Sequence, residues 1–539
     1  IELNKTINWQ PESTGTGRFG QWLENLMDWN LSRSRFWGTP LPIWATEDYK
    51  EMKCIGSVAE LKAEIEKSVS AGFMKENPLS KFIPNNFTRE NYNQFDLHKP
   101  FVDNIILVSS DGKPMYREPD LIDVWFDSGA MPYAQWHYPF ENKDDFNRLF
   151  PADFIAEGVD QTRGWFFTLH ALAVMLFDSV AFKNIISNGL VLDKNGNKMS
   201  KRLGNAINPF EVIEKYGADA LRWYMITNSQ PWDNLKFDME GLDEVKRKFF
   251  GTLYNTYSFF ALYANIDQFT GNEEKVSIEK RPEIDRWIIS LLNTLIKNVK
   301  DSYEEYEPTK AGRLIQEFVI DHLSNWYVRL NRKRFWGGTM DEDKLAAYQT
   351  LYECLYQVTK LMSPIAPFYS EQLFNDLRLN EIEQVNSVHH STFPKYDDSL
   401  VDKLLEERMQ LAQDITSLVL SLRRKVNIKV RQPLGKILIP VLDKNFVEQI
   451  EKVKDIVLTE VNVKELEFID ASSGVIVKKV KPNFKVLGSK MGKHMKALTN
   501  HLNNFTQQDI QKLELEKKFV FSSEGETFEI TLDEVELLT

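Results

Sequence analysis

Hydrophobic and polar positions along the 539 residues change their period twice. Up to residue 45, apolar side chains are scattered among Trp, Gly and Pro, with polar runs between them. Residues 57–98 read as a loosely structured insertion with one amphipathic helix near 58–68. Short apolar runs at 104–108 and 121–126 read as strands. Between 150 and 226 the pattern becomes strand, helix, strand, loop, helix. DFIAEGV (153–159) reads as a buried strand, after which Asp160 is placed to cap a helix running to Phe177. IISNGLVLD (185–193) is the next strand, closed by the turn signal Asn195-Gly196. Asn208, Pro209 and Glu211 then supply an N-cap, a proline in the first turn and a capping-box acid. Gly217 ends that helix and a second begins at Ala218. Strands alternating with helices at this spacing predict a parallel α/β sheet.

From about 241 the strand signals stop. Aromatic-rich amphipathic segments at 243–264, 283–302, 308–335 and 342–362 predict a helical bundle. Pro364 and Pro367 interrupt the last of them before a short helix. A polar stretch, 380–399, leads to a helix at 400–425. The alternating runs KILIPVL, ELEFI, GVIVKKV, KFVFSS and TFEITL follow, which with one or two helices predict a separate α+β module. The predicted class is therefore multidomain α/β plus α, divided at 1–45, 46–120, 121–240, 241–395 and 396–539.

Composition narrows the class. A chain of this length exceeds a single core. Its hydrophobic content of 42% and charged content of 27% are ordinary for soluble globular protein. The longest apolar stretch, WFFTLHALAVMLF (165–177), has 13 residues, too few to span a bilayer. No cleavable signal pattern opens the sequence, so the expectation is a cytoplasmic protein. Cys54 and Cys354 belong to no Cys-x-x-Cys pair, which argues against a disulfide framework or a zinc site.

The net charge of −12 opposes nonspecific adhesion to nucleic acid, but its distribution is uneven. Three windows hold no acid. Residues 323–340 carry Arg329, Arg332, Lys333 and Arg334. Residues 422–442 carry Arg423, Arg424, Lys425, Lys429, Arg431 and Lys436. Residues 471–508 carry lysines 478, 479, 481, 485, 490, 493 and 496. Cationic surfaces on an acidic body suit a phosphate-backbone binder that must also let go. For any one window, a solvated helix face explains the pattern equally well.

The stretch NGNKMSKRLGN (195–205) carries the sharpest chemistry. Ligands of open α/β sheets bind at the carboxyl ends of strands, and this glycine-flanked loop sits at such an end, as does EGVDQTRGW (157–165). Lysines flanking a serine there suit negative charge developing on a transferring phosphoryl group, and a loop that closes and reopens suits turnover.

KMSKRLGN (198–205) resembles the Lys-Met-Ser-Lys-Ser signature of the class I aminoacyl-tRNA synthetases. The motifs NWQPE (8–12), NLSRSRFWGTPLPIW (30–44), DLIDVWFDSG (120–129), EGVDQTRGWF (157–166) and LSNWYVRLNRKRFW (323–336) are similar to those of the isoleucyl branch of that family. The resemblance runs in order to about residue 440 and thins over the last 100 residues. Arg202 stands where the family pattern often has Ser. The eight histidines contain no His-x-Gly-His, and the Thr-rich and Gly-rich segments of an editing domain are absent. The resemblance therefore implies the C-terminal half of a longer enzyme, inactive alone for want of half its ATP site.

It further implies an ATP-dependent ligase that activates isoleucine as an adenylate and transfers it to tRNA(Ile). ATP and its Mg²⁺ would be needed, and the expected state is a monomer. Lys198 and Lys201 would steady the phosphates, with Met199 and Ser200 beside them. Glu157, Gly158, Asp160 and Gln161 would hold the adenylate, while Trp125 and Trp165 would wall the amino-acid pocket. Arg33 and Arg35 are candidate contacts to the tRNA acceptor end. Trp326, Arg329, Arg332 and Arg334 would meet anticodon bases and phosphates, and Arg431 is a further tRNA candidate. Against these stand helix capping for the carboxylates, core packing for the tryptophans and Arg33–Trp packing. A valyl or leucyl enzyme, or a tRNA-binding module without catalysis, are the alternatives.

Overall fold

The structure is a computed structural model that describes residues 1–378, 385–441, 443–469 and 479–538, with Lys201 described by its backbone alone. The chain forms two compact units, Ile1–Asp398 and Ser399–Thr539.

In the first unit, strands Asn8–Gln10, Phe182–Asn188 and Ala152–Gly158 form a parallel sheet, with Phe182–Asn188 in the centre. Trp9, Phe19, Phe166, Leu169, Phe182 and Ile185 pack into its core with the helix Trp165–Phe177. The strand predicted as buried, at 153–159, is instead mostly exposed. It is an edge strand, and Asp153, Phe154, Ala156 and Glu157 face solvent. The predicted strand 185–193 breaks at Gly189. A Cβ there would lie 2.3 Å from the carbonyl oxygen of Asp233, so only glycine lets the chain pass that loop. Beyond the break, Val191–Leu192 pairs in parallel with Leu235–Lys236.

The insertion is better ordered than its polarity suggests. Strands Met52–Cys54, Ile43–Thr46, Pro114–Arg117 and Ile106–Val108 form an antiparallel sheet, in that order. The helix Val58–Ser70, capped by the Ser57 side chain, covers a core that includes Trp44, Ile65, Leu79, Phe82 and Leu107. Leu121–Phe126 is a strand for only Leu121–Ile122. The Asp123 carboxylate then accepts from the Trp125 amide and starts the helix Val124–Ala134.

The bundle comprises Gly251–Asp267, Glu283–Glu304, the run from Pro308 to Phe335, Glu342–Met362 and Pro367–Asp376. Within the third, Phe318–Val328 winds as wide π turns, so Trp326, Tyr327 and Val328 are buried in succession. The 3.6-residue period assumed from sequence fails there.

In the second unit, the helices Lys403–Lys425 and Lys444–Val461 accompany the parallel pair Leu434–Pro440 and Val463–Ile469. Two antiparallel pairs follow, Lys479–Pro482 with Val535–Leu538 and Lys518–Ser523 with Glu526–Thr531. The expected strand GVIVKKV lies largely outside the described residues, as does Lys478.

Candidate functional site

In the three-stranded parallel sheet Glu157 pairs in register with Ser187, and Gly158 with Asn188. The EGVDQ turn therefore leaves the sheet beside the strand whose continuation, through Val191–Leu192, carries the cationic loop. Glu157 and Asp160 are exposed, so neither carboxylate is consumed by packing. A Cβ on Gly158 would lie 2.6 Å from Asp160 Oδ1, so this glycine leaves the room that the carboxylate occupies.

The helix that follows begins at Trp165, and Gln161 rather than Asp160 provides its cap. The Gln161 Oε1 accepts from the Trp165 amide at 2.9 Å, while its Nε2 donates to Asp160 Oδ2 at 3.3 Å. Gln161 thus ties the carboxylate to the helix start. Gly164 makes this possible, because a Cβ there would sit 2.7 Å from Gln161 Oε1.

The same glycine lies under Trp125, whose ring would be 3.3 Å from that Cβ. Trp165 is partly buried and donates its indole N–H to the Ser128 carbonyl at 2.9 Å. The two tryptophans, 40 positions apart, are thereby brought to neighbouring places on the contact between Val124–Ala134 and Trp165–Phe177. Trp125 keeps 41% of its surface exposed, which leaves its ring available to a ligand.

The loop is held by two residues that motif reading passes over, Asp193 and Asn205. Asp193 Oδ1 accepts from the amides of Asn195 and Asn197 at 3.0 and 2.8 Å, and its Oδ2 accepts from Asn205 Nδ2 at 3.0 Å. Asn205 in turn accepts from the Ser200 amide at 2.9 Å and donates to the Lys198 carbonyl at 3.3 Å. The donated bond from Asn205 leads the causes that hold the Asp193 carboxyl below its usual range.

Met199 is partly buried and packs against a core that includes Tyr216, Tyr224 and Leu235, which anchors the loop. Lys198 is exposed and has no carboxylate partner among the described residues. The side chain of Lys201 lies outside the described residues.

Several basic candidates prove to be internally engaged. Arg33 Nη2 donates to Asp123 Oδ2 at 2.8 Å, and the Trp29 indole shares that oxygen at 2.9 Å. Its charge therefore fastens the 32–33 strand to the helix that bears Trp125. Arg334 grips the fully buried Asp285 through Nη1 and Nη2 at 2.7 and 2.9 Å, and reaches Asp343 at 2.8 Å. Trp326 is 8% exposed and presents no free face to a base. In the second unit Arg423 is buried and donates to the carbonyls of Lys429, Gln432 and Asn462, while Lys490 and Lys493 are paired with Glu534 and Glu524.

What remains on the surface is Arg35, next to Phe36 and to Trp37, which stacks on His98 at 4.4 Å. Arg329, Arg332 and Lys333 are exposed at the end of the third bundle helix, with Trp336 beside them at 54% exposure. Partial burial and the neighbouring Arg332 lower the pKa of Arg329. Arg431 is exposed in the second unit. Trp336 was legible only as the last residue of LSNWYVRLNRKRFW. Its exposure follows from the helix ending one residue earlier.

Comparison with known proteins matches this architecture. Residues 1–238 match the family model for tRNA synthetases class I (I, L, M and V), and residues 285–438 match the anticodon-binding domain of tRNA ligase. Residues 1–238 are thus similar to a class I tRNA synthetase region and residues 285–438 to an anticodon-binding domain. Curated relatives that the chain matches include isoleucine–tRNA ligases. One from Bacteroides fragilis strain YCH46 is 65% identical over all of this chain and 48% of its own length. Another, from Porphyromonas gingivalis, is 62% identical and covered over 47%, and one from Clostridium tetani is 43% identical and covered over 49%. The chain thus spans about half the length of the curated relatives it matches. Among solved structures, the agnB2 LeuRS of Agrobacterium radiobacter K84, in a ternary complex with tRNA and LeuAMS, aligns over 85% of this chain and 54% of its own. The TM-score is 0.51 at 16% identity, a likeness of fold. Among the described residues no helix is long and apolar enough to cross a membrane.

Proposed function

We propose that the chain is the working C-terminal part of an isoleucine–tRNA ligase, which joins isoleucine to ATP as an adenylate and passes it to tRNA(Ile). One observation carries this reading. Phe182–Asn188, the strand that precedes the KMSKR loop, pairs with the EGVDQ strand. The chain therefore leaves the carboxyl end of that sheet toward Lys198, which has no carboxylate partner among the described residues, beside the strand end that carries the exposed Glu157 and Asp160.

In this reading the isoleucine carboxylate attacks the α-phosphorus of ATP, and pyrophosphate leaves with its Mg²⁺. Lys198, joined by Lys201, stabilises charge on the departing phosphates. Glu157 and Asp160 accept hydrogen bonds from the ribose hydroxyls and the substrate ammonium, with Gln161 holding Asp160 in place. Trp125 and Trp165 supply the apolar wall for a branched side chain. Identities of 60–65% to isoleucine–tRNA ligases favour isoleucine over valine or leucine.

On the bundle, the roles expected of Trp326 and Arg334 pass to Trp336, Arg329, Arg332 and Lys333. An exposed indole flanked by cations suits a stacked base and its phosphates. Arg35 and Arg431 remain candidates for further tRNA contacts.

The test is amino-acid-dependent ATP–pyrophosphate exchange in the full-length ligase that carries this chain. Isoleucine should drive exchange, and Lys198→Ala should lower kcat by about 10²–10³-fold. Exchange driven mainly by valine or leucine overturns the substrate assignment.

A further inference from the structure

The motif reading assigns roles to the lysines of the loop but leaves open what fixes its shape. Two side chains, 12 positions apart, bridge its ends. Asp193 uses one oxygen for the Asn195 and Asn197 main-chain amides and the other for Asn205 at 3.0 Å, with the Asn197 side-chain amide donating to it at 3.4 Å. Asn205 uses its oxygen for the Ser200 amide and its nitrogen for the Lys198 carbonyl. Main-chain contacts add to this closure: the Asp193 amide donates to the Asn197 carbonyl at 2.9 Å, the Gly196 amide to the Asp193 carbonyl at 2.9 Å and the Leu203 amide to the Ser200 carbonyl at 3.2 Å, and Leu192 bridges to Lys198. On the far side, among the described side chains of 198–204, Met199 packs against the hydrophobic core of this region. The backbone of Lys198 and Ser200 is therefore held mainly through one side-chain pair.

We propose that Asp193 and Asn205 form a polar latch that sets the conformation of the 194–204 loop and makes both of them positioning residues for Lys198. The positioning half rests on the phosphate-binding reading given above; the latch itself rests on the hydrogen bonds alone. The chemistry of the pair makes the prediction specific. A carboxylate at 193 accepts on both oxygens. An asparagine there has one accepting oxygen, and its amide nitrogen would meet the donating nitrogen of Asn205. Asp193→Asn therefore keeps the Asn195–Asn197 turn and loses the latch.

Limited trypsin digestion reads the loop directly, because Lys194, Lys198, Lys201 and Arg202 are all cleavage sites within it. In the full-length ligase, Asp193→Ala, Asp193→Asn and Asn205→Ala should each speed cleavage in 194–202 by about tenfold, the effect of one such hydrogen bond on loop closure. Thermal stability and cleavage elsewhere should stay unchanged. The double variant Asp193→Asn/Asn205→Ala should be cut no faster than Asn205→Ala, because the one contact that Asp193→Asn loses is already gone there. Isoleucine-dependent exchange should lose kcat by about 10–100-fold, as misplaced catalytic groups do, with KM for isoleucine unmoved.

Wild-type cleavage rates in the variants, or additive effects in the double variant, overturn the latch. Faster cleavage with unchanged kcat overturns the positioning role. If the unaltered ligase itself shows no exchange, the functional reading falls, and the cleavage rates still decide whether the latch exists.

Discussion

His170 is enclosed on the helix Trp165–Phe177, edge-on to Phe19 at 5.8 Å, and its Nδ1 has no hydrogen-bond partner among the described residues. Burial pulls its pKa from 6.5 to about 4. The unfolded chain thus binds the proton more readily than the folded one. Stability from this site is complete above pH 6.5 and is lost as pH falls toward 4. At about 1.4 kcal/mol per pH unit the loss approaches 3 kcal/mol. His170→Leu should flatten the pH dependence of chemical denaturation across that window, and an unchanged slope would contradict the assignment. A second contrast concerns two arginines two positions apart. Arg334→Ala strands the buried Asp285 carboxylate and should cost about 3–5 kcal/mol in denaturant titrations. Arg332→Ala should leave stability alone and lower the salt dependence of tRNA binding by about one counterion. If both behaved as surface cations, the buried network would be refuted.

Elements decide where the tryptophans stand. Gly129 lies where the helices Val124–Ala134 and Trp165–Phe177 cross, and a Cβ there would come within 2.8 Å of both Leu172 Cδ1 and the Thr168 carbonyl. Gly129→Ala should push the helices apart, destabilise by about 1–3 kcal/mol and raise KM for isoleucine more than KM for ATP. Equal effects on both would mean that the crossing does not shape the amino-acid pocket. At this scale the regular helices were legible in the sequence. Glu342–Met362 falls at its predicted bounds, and Asn208 caps Pro209–Tyr216 through the Phe210 amide as its sequence signature requires. The failures have three causes: a strand's place in its sheet, ion-pair partners distant in sequence, and a local change of helical period. The Ala152–Gly158 strand looks buried by composition and is exposed because it ends a sheet. Arg33 and Arg334 look like free cations because Asp123 and Asp285 lie 90 and 49 residues away. Trp326 turned inward because π turns changed the period of its helix.

The whole chain combines a class I tRNA synthetase region, an anticodon-binding region and a second unit whose exposed cations include Arg431, on a body of net charge −12. It holds the KMSKR and EGVDQ motifs but no His-x-Gly-His. These 539 residues alone should therefore bind tRNA(Ile) in a salt-sensitive manner without forming isoleucyl-adenylate, as filter binding and pyrophosphate exchange on one preparation would show. The proposal that Lys198 and Glu157 serve a single adenylate rests on the neighbouring strands that lead to them. Its most direct measurement is the affinity of the full-length ligase for a non-hydrolysable isoleucyl-adenylate analogue, in a double-mutant cycle of Lys198→Ala and Glu157→Gln. Each single change should weaken binding about tenfold or more, while free isoleucine still binds. A ligase that holds the analogue equally well without either side chain would contradict the account.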